Sequence, residues 1–459
     1  MSPLRRIGTR LYLGLALLGT QALAAEGPAA LEVPSTQFRL ANGLEVILHE
    51  DHSLPLVAVN LWYHVGSARE KPGRTGLAHL FEHLMFEGSE NVPEGAFDRW
   101  LEAAGGDNNG STNEDRTNYF EQLPANALEL ALFLESDRMG YLLSTMSPEK
   151  VNGQRQVVKN ERRQSYENRP YGMAGLLLEE NLFPSQHPYH RPVIGSMQDL
   201  DAASYQDVVE FFRLYYQPGN ASLVIAGDID RTMARQLVEK WFAGIPAGRP
   251  IPPLVVAPPA RPVGEKRLLL EDRVELPRLY LGWLSPAVLA PGDAELDLVA
   301  SLLSQGRNSR LYKRLVYELT IAQDVVAYQD SKRLASNFVI QVTARSGHSL
   351  GELLTVIDEE LGKLRAAPPS AREVERAVNQ YESGFLASLE RLQSKANQLN
   401  GYFFGTGNPD YFNEDLSRYR ALSPSDVEAA AERYLTTDRV LLSVVPRGKK
   451  ELALSGNQP

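Results

Sequence analysis

Between residues 246 and 262 the chain reads PAGRPIPPLVVAPPARP, seven prolines in seventeen residues. Proline fixes φ and carries no N–H, so neither a helix nor a central strand passes through such a segment. An extended, semi-rigid linker is expected here. It divides the 459-residue chain into two parts of ordinary domain size. The predicted organisation is a first domain over 31–246, a linker over 247–265 and a second domain over 266–450.

The two parts look like copies of one design. Residues 200–229 read LDAASYQDVVEFFRLYYQPGNASLVIAGDI, and residues 422–448 read LSPSDVEAAAERYLTTDRVLLSVVPRG. Each is a short cap, an amphipathic helix, a polar turn and an apolar strand. Earlier in each part a helix begins on a capping serine. Ser147 precedes Pro148 in the first, and Ser370 pairs with Glu373 as a capping box in the second. Order and spacing together favour duplication over chance recurrence.

Strand patterns are found at 37–50, 57–65, 118–122 and 222–226, and again at 267–272, 278–284, 324–329, 336–343 and 440–445. Asn42-Gly43 is a hairpin turn signal. Helical periodicity marks 77–86, 93–104, 125–139 and 148–166. The expected fold class is α+β: two duplicated domains, each a mainly antiparallel sheet with helices packed on one face.

Composition narrows the chemistry. With 47 Lys and Arg against 57 Asp and Glu, the net charge is −10. An acidic chain without basic blocks is poorly suited to nucleic acid or anionic lipid. There is no cysteine, which excludes thiol nucleophiles, thiolate-held zinc and iron–sulfur centres. Any metal must be held by histidine and carboxylate. At the N-terminus, Arg5, Arg6 and Arg10 precede a short apolar run, and Ala22-Leu23-Ala24 offers a small-x-small cleavage pattern. Residues 1–24 are expected to be a cleavable secretory signal cut near Ala24, with the periplasm or the exterior as destination. No stretch of the mature chain reaches the ~18 apolar residues that a membrane span needs.

The segment LAHLFEHLMFEG, residues 77–88, carries the chemistry. His79 and His83 stand four apart, one helical turn on the same face. Two imidazoles so placed can close on one Zn²⁺ at about 2.0–2.1 Å. Glu82 projects beside them and is free to act as a base. This is the inverted H-x-x-E-H arrangement. A catalytic zinc takes a third protein ligand and a water. From the residues alone that ligand is open among Glu149, Glu161 and Glu167 on the helix after Ser147, with His187 and His190 as further candidates.

Here the sequence resembles the insulinase (pitrilysin) family of zinc metallopeptidases, in the branch of mitochondrial processing peptidase and bacterial secreted members. His79-Leu-Phe-Glu82-His83 matches the zinc motif of that family. The stretch GGDNNGSTNEDRTNYF, from Gly105 and Gly106 to Phe120, matches its glycine-led edge strand. Val157-Val158-Lys159-Asn160-Glu161 matches the segment holding its third ligand. The resemblance implies one Zn²⁺ per chain on His79, His83 and Glu161, with Glu82 as general base. It implies that a peptide or unfolded polypeptide is enclosed in a chamber. The substrate would lie along the edge strand near Gly106, Asn109, Ser111 and Thr112 by strand addition. His187-Pro188-Tyr189 and Ile194-Gly195 look like structural landmarks of the family.

Two positions depart from the pattern. Gln154 stands seven before Glu161, where many members carry a second Glu. In residues 315–328, Val316 and Gln323 stand where active members draw an Arg and a Tyr from a carboxy-terminal domain to grip the substrate carbonyl. The expectation is half of a split site, completed in a heterodimer by a related chain supplying Arg and Tyr, with a homodimer as the alternative. The competing readings are a non-catalytic assembly or peptide-binding subunit, and a zinc hydrolase of non-peptide substrates.

Overall fold

The computed structural model describes residues 30–456. The expected signal, residues 1–24, lies outside them. Eleven strands form two sheets among the described residues. They are β1 (Thr36–Arg39), β2 (Glu45–Glu50), β3 (Leu56–Tyr63), β4 (Asp107–Thr112), β5 (Thr117–Pro124), β6 (Ala221–Gly227), β7 (Glu265–Asp272), β8 (Arg278–Ser285), β9 (Ala322–Asp330), β10 (Ser336–Ala344) and β11 (Arg439–Pro446). The first sheet runs β1-β2-β6-β3-β5-β4, the second β7-β11-β8-β10-β9. In each, one parallel pair (β2 with β6, β7 with β11) sits among antiparallel ladders. Removing the β1 hairpin arm leaves the same strand order twice. Residues 246–263, between the last helix of the first half and β7, hold neither helix nor strand.

The expected strands are present, and the pattern at 37–50 divides into β1 and β2 on either side of Asn42-Gly43. The helix expected over 93–104 begins only at Ala96, because Gly95 takes φ 68° and sets the helix start there. The helix expected over 148–166 is regular over Pro148–Arg162 and widens into a π turn over Arg163–Glu167.

Packing adds a layer to the expected design. On β3, Val57, Val59, Leu61 and Tyr63 point into the first core, under the helices of their own half. The alternate residues face the helix Leu392–Thr406, which comes from the other half. There Asn400 Nδ2 donates to the Asn60 carbonyl at 2.8 Å, and Trp62 meets Phe404 edge-on. The exchange is reciprocal. The helix Ala174–Leu182 of the first half lays Leu178 and Leu182 on the far face of the second sheet, against Leu442 and Val444. Each sheet is thus buried on both faces. This explains the near-continuous apolar runs of β6 and β11, since a strand covered on both sides has no polar face to show.

Candidate metal centre

The helix Leu77–Leu84 is too short to be stable by propensity alone. Leu77, Ala78, Leu80, Phe81 and Leu84 are buried. Phe81 stacks on Tyr216 at 4.9 Å and on Phe211 at 5.5 Å. The opposite side carries His79, Glu82 and His83. No side chain at Gly76, the N-cap position, closes the helix start. A distant carboxylate does so instead: Glu70 accepts from the Gly76 and Ala78 backbone N–H groups at 3.0 and 2.8 Å. Orphan N–H groups at a helix start favour such an acceptor.

Burial pushes the Glu70 carboxyl up to about 8, against the pull of those two N–H groups. A carboxyl raised on folding stabilises fully below its unfolded pKa, and that contribution is lost as pH rises through the folded value. Glu70 therefore lowers stability between pH 4.5 and about 8, by at most about 1.4 kcal/mol per pH unit. Glu70→Gln is expected to flatten the profile of urea midpoint against pH in that window. A profile as steep as that of the unsubstituted protein would count against this account.

His79 Nε2 and His83 Nε2 lie 3.6 and 3.3 Å from Glu161 Oε2. One ligand atom from each residue lies within 4.8 Å of the others, and no further group of three such residues is found among the described residues. A tetrahedral centre with bonds of about 2.0–2.1 Å spaces its ligand atoms about 3.4 Å apart. The donor set and its spacing fit that centre. Burial holds His79 below its usual pKa, which favours the neutral imidazole that ligation needs. Glu161 is lowered, chiefly by its hydrogen bond with His83. The π turn that follows Glu161 swings Tyr166 into the same cleft.

Of the other candidates for the third ligand, Glu149 is exposed at its helix start, and Glu167 accepts from Arg162 Nε at 3.1 Å. His187 Nδ1 accepts from the Tyr189 N–H, and its ring stacks on Phe183. His190 Nδ1 bonds the Phe183 carbonyl at 2.9 Å. Gln154 donates to Glu87 Oε1 at 2.6 Å. The amide thus engages a carboxylate four residues past His83.

Glu82 Oε2 accepts from the Thr112 hydroxyl at 2.6 Å. Thr112 ends β4, the edge strand of the first sheet. A cleft of about 430 Å³ runs past His79, Glu82, Ser111, Thr112, Glu161 and Lys332. Gly106 and Asn109 line a different cleft, beside Asp98 and Glu102. Ser111 and Thr112 are therefore brought to the histidine pair, and Gly106 and Asn109 are not.

Two residues escape the sequence reading. Gly110 lies against Glu82, where a Cβ would stand 3.0 Å from Glu82 Cγ. A lone glycine inside a strand is a readable signal of such close approach. Lys332, from the second half, pairs with Glu114, Glu179 and Asp330 at 2.6, 2.5 and 3.1 Å. No local pattern announces that contact.

In the second half the helix Asp293–Ser304 starts, like its counterpart, after a glycine of positive φ, here Gly292. Glu295, Leu298 and Val299 stand at the places of His79, Glu82 and His83. That half has no equivalent donor set. Val316 is half-buried against the second core, and Gln323 is exposed on β9.

Comparison with known proteins finds relatives over most of the chain. The model for insulinase (peptidase family M16) matches residues 45–189. That for the peptidase M16 inactive domain matches residues 202–381. The zinc protease PqqE of Helicobacter pylori is 27% identical over 438 residues, covering 94% of this chain and 97% of its own. A probable mitochondrial-processing peptidase subunit beta of Arabidopsis thaliana is 23% identical, over 90% of this chain and 79% of its own. The crystal structure of a protease from Helicobacter pylori superposes with a TM-score of 0.84 at 26% identity, covering 90% of this chain and 99% of that one. The periplasmic protease PqqL from Escherichia coli shares the fold, with a TM-score of 0.78 at 20% identity. The match covers 93% of this chain and half of that one. Two models of one family between them span most of the folded chain, one over the half with the histidine pair and the other chiefly over the half without it: the chain belongs to the insulinase family, peptidase family M16.

Proposed function

We propose that this chain is a zinc-dependent endopeptidase subunit acting on peptides or unfolded polypeptides. The observation that carries the reading is the convergence of His79, His83 and Glu161 beside Glu82 and an edge strand. His79, His83 and Glu161 would hold the metal. Bound zinc supplies a Lewis acid and brings the pKa of a water toward ~7. Glu82 takes the proton of the attacking water and later returns it to the leaving amine. The Thr112 hydroxyl occupies Glu82 Oε2 and leaves Oε1 for the proton. The edge of β4 offers backbone N–H and C=O groups to an extended peptide, which gives affinity with little sequence demand. The short side chain of Ser111 lets that peptide come close, and the bare Gly110 leaves room for Glu82 beneath it.

Location outside the cytoplasm rests on the signal-like N-terminus and on the likeness to a periplasmic protease. No helix among the described residues is long and apolar enough to cross a membrane. With Val316 and Gln323 unable to grip a substrate carbonyl, a related chain carrying Arg and Tyr completes the site across a chamber, and the second half here serves as a non-catalytic partner domain.

The test is metal analysis of the purified chain with a chelator-sensitive assay on an unstructured peptide, run alone and with candidate partner chains. One zinc per chain, weak cleavage alone and strong cleavage in the mixture are expected. Absence of stoichiometric zinc would overturn the reading. Full activity of the isolated chain would overturn the split site while leaving the peptidase reading intact.

A further inference from the structure

The two helices that carry the donor set are joined by a strap at residues 194–196, and its contacts reach both of them. Arg162, the residue after Glu161, donates from NH1 to the Gly195 carbonyl at 2.6 Å. Gly195 takes φ +75° and lies backbone to backbone on Gly76, the residue that starts the His79 helix. A Cβ on Gly195 would stand 2.6 Å from Gly76 Cα and 2.6 Å from the Thr75 carbonyl oxygen. A Cβ on Gly76 would stand 2.9 Å from Gly195 Cα. The next residue, Ser196, donates its N–H to Thr75 Oγ1 at 3.0 Å. Thr75 in turn donates from N and Oγ1 to Asp199 Oδ2 at 3.1 and 2.6 Å. At the other end of the same pair of helices, Lys150 and Gln154 bond the Glu87 carbonyl and carboxylate.

We propose that Arg162 and Gly195 are positioning residues that set the separation of the His79–His83 helix from Glu161, and so tune how tightly the site grips a divalent cation. This rests on the metal reading of the preceding subsection. The physical need is clear. Glu161 keeps 37% of its side chain exposed, so packing alone does not fix it. A metal site tolerates only about ±0.2 Å in ligand distance. Glycine at both faces of the strap gives the closest approach a backbone can make. The half-buried guanidinium ties the Glu161 end to that same backbone. Supporting contacts of this kind are typically worth about 10–100-fold in metal affinity.

The experiment measures Zn²⁺ affinity by competition with a chromophoric chelator, and the visible spectrum of the Co²⁺-loaded protein. Arg162→Met is expected to weaken Zn²⁺ binding by about 10–100-fold and to shift the Co²⁺ bands, with little change in the melting temperature of the metal-free chain. Arg162→Lys is expected to recover part of the affinity, because it restores a cationic donor to the Gly195 carbonyl. Gly195→Ala is expected to weaken binding at least as much. If that variant does not fold, the Arg162 pair decides. Arg163→Met, the same change one residue on at an exposed position, serves as control and is expected to leave affinity unchanged. Arg162→Met with the affinity and Co²⁺ spectrum of the unsubstituted protein would overturn the inference. So would an equal loss in Arg163→Met. If the unsubstituted chain itself binds no zinc, the metal reading fails and this inference falls with it, an outcome separate from both.

Discussion

Glu82→Gln is expected to leave zinc bound and to lower peptide turnover by about 10²–10⁴-fold. Glutamine keeps the volume of glutamate and can still accept from Thr112, whose hydroxyl lies 2.6 Å from Glu82 Oε2. It cannot accept a proton. Glu82 is not among the three converging ligand atoms, so metal content is expected to be preserved. The contrast is with His83→Ala, which removes a donor 3.3 Å from Glu161 Oε2 and is expected to lose metal and activity together. Zinc content and single-turnover rates, measured on both variants in the assembled enzyme, separate the two roles. Turnover in Glu82→Gln equal to that of the unsubstituted enzyme would remove Glu82 from the mechanism. Loss of zinc from the same variant would make it a ligand instead of a base.

The second large effect is on stability. Arg138 is 1% exposed. Its Nε donates to Glu135 Oε2 at 2.8 Å, and its NH2 reaches Glu121 Oε1 at 3.2 Å. The guanidinium also lies over the rings of Tyr119 and Phe97, at 4.2 and 4.3 Å. One cation therefore serves two buried carboxyls. Burial, followed by the neighbouring Glu135, drives the Glu121 carboxyl well above its usual range, so Glu121 shares the cluster as the neutral partner. Arg138→Met removes from the core the cation that Glu135 and the neutral Glu121 share. Breaking a buried ion pair from one side costs about 3–5 kcal/mol, and loss of that size is expected in denaturant unfolding. Arg138 holds the raised Glu121 pKa down, and a raised folded pKa means that stability is lost as pH rises, so the variant is expected to weaken further from acid toward neutral pH. Replacing all three, as Glu121→Gln, Glu135→Leu and Arg138→Met, is expected to recover much of the loss, because the penalty lies in the orphaned charge. A single Arg138→Met variant as stable as the unsubstituted protein would contradict the account. The cluster also underlies the site, since Tyr119 OH donates to the Phe81 carbonyl on the His79 helix.

What could be read from the chain by itself follows from short-range physics. The i, i+4 spacing of His79 and His83 places two imidazoles on one helical face wherever that helix goes. Alternating and apolar runs mark the strands, and the prolines of 246–262 forbid regular structure between the halves. These are local constraints, each contained within a few residues. Other features depend on residues far apart in sequence, and only the folded chain decides them. Spacing left Glu149, Glu161, Glu167 and two histidines open as third ligand, and the fold brings Glu161 alone of these to His79 and His83. Reciprocal helix exchange, the seating of Gly195 on Gly76 and the reach of Lys332 into the cleft of the other half have no local signature. Periodicity fixes which face of an element is buried, but not which distant element covers it. That choice is made by the close packing of whole layers, where one added methyl at Gly195 is enough to change the fit.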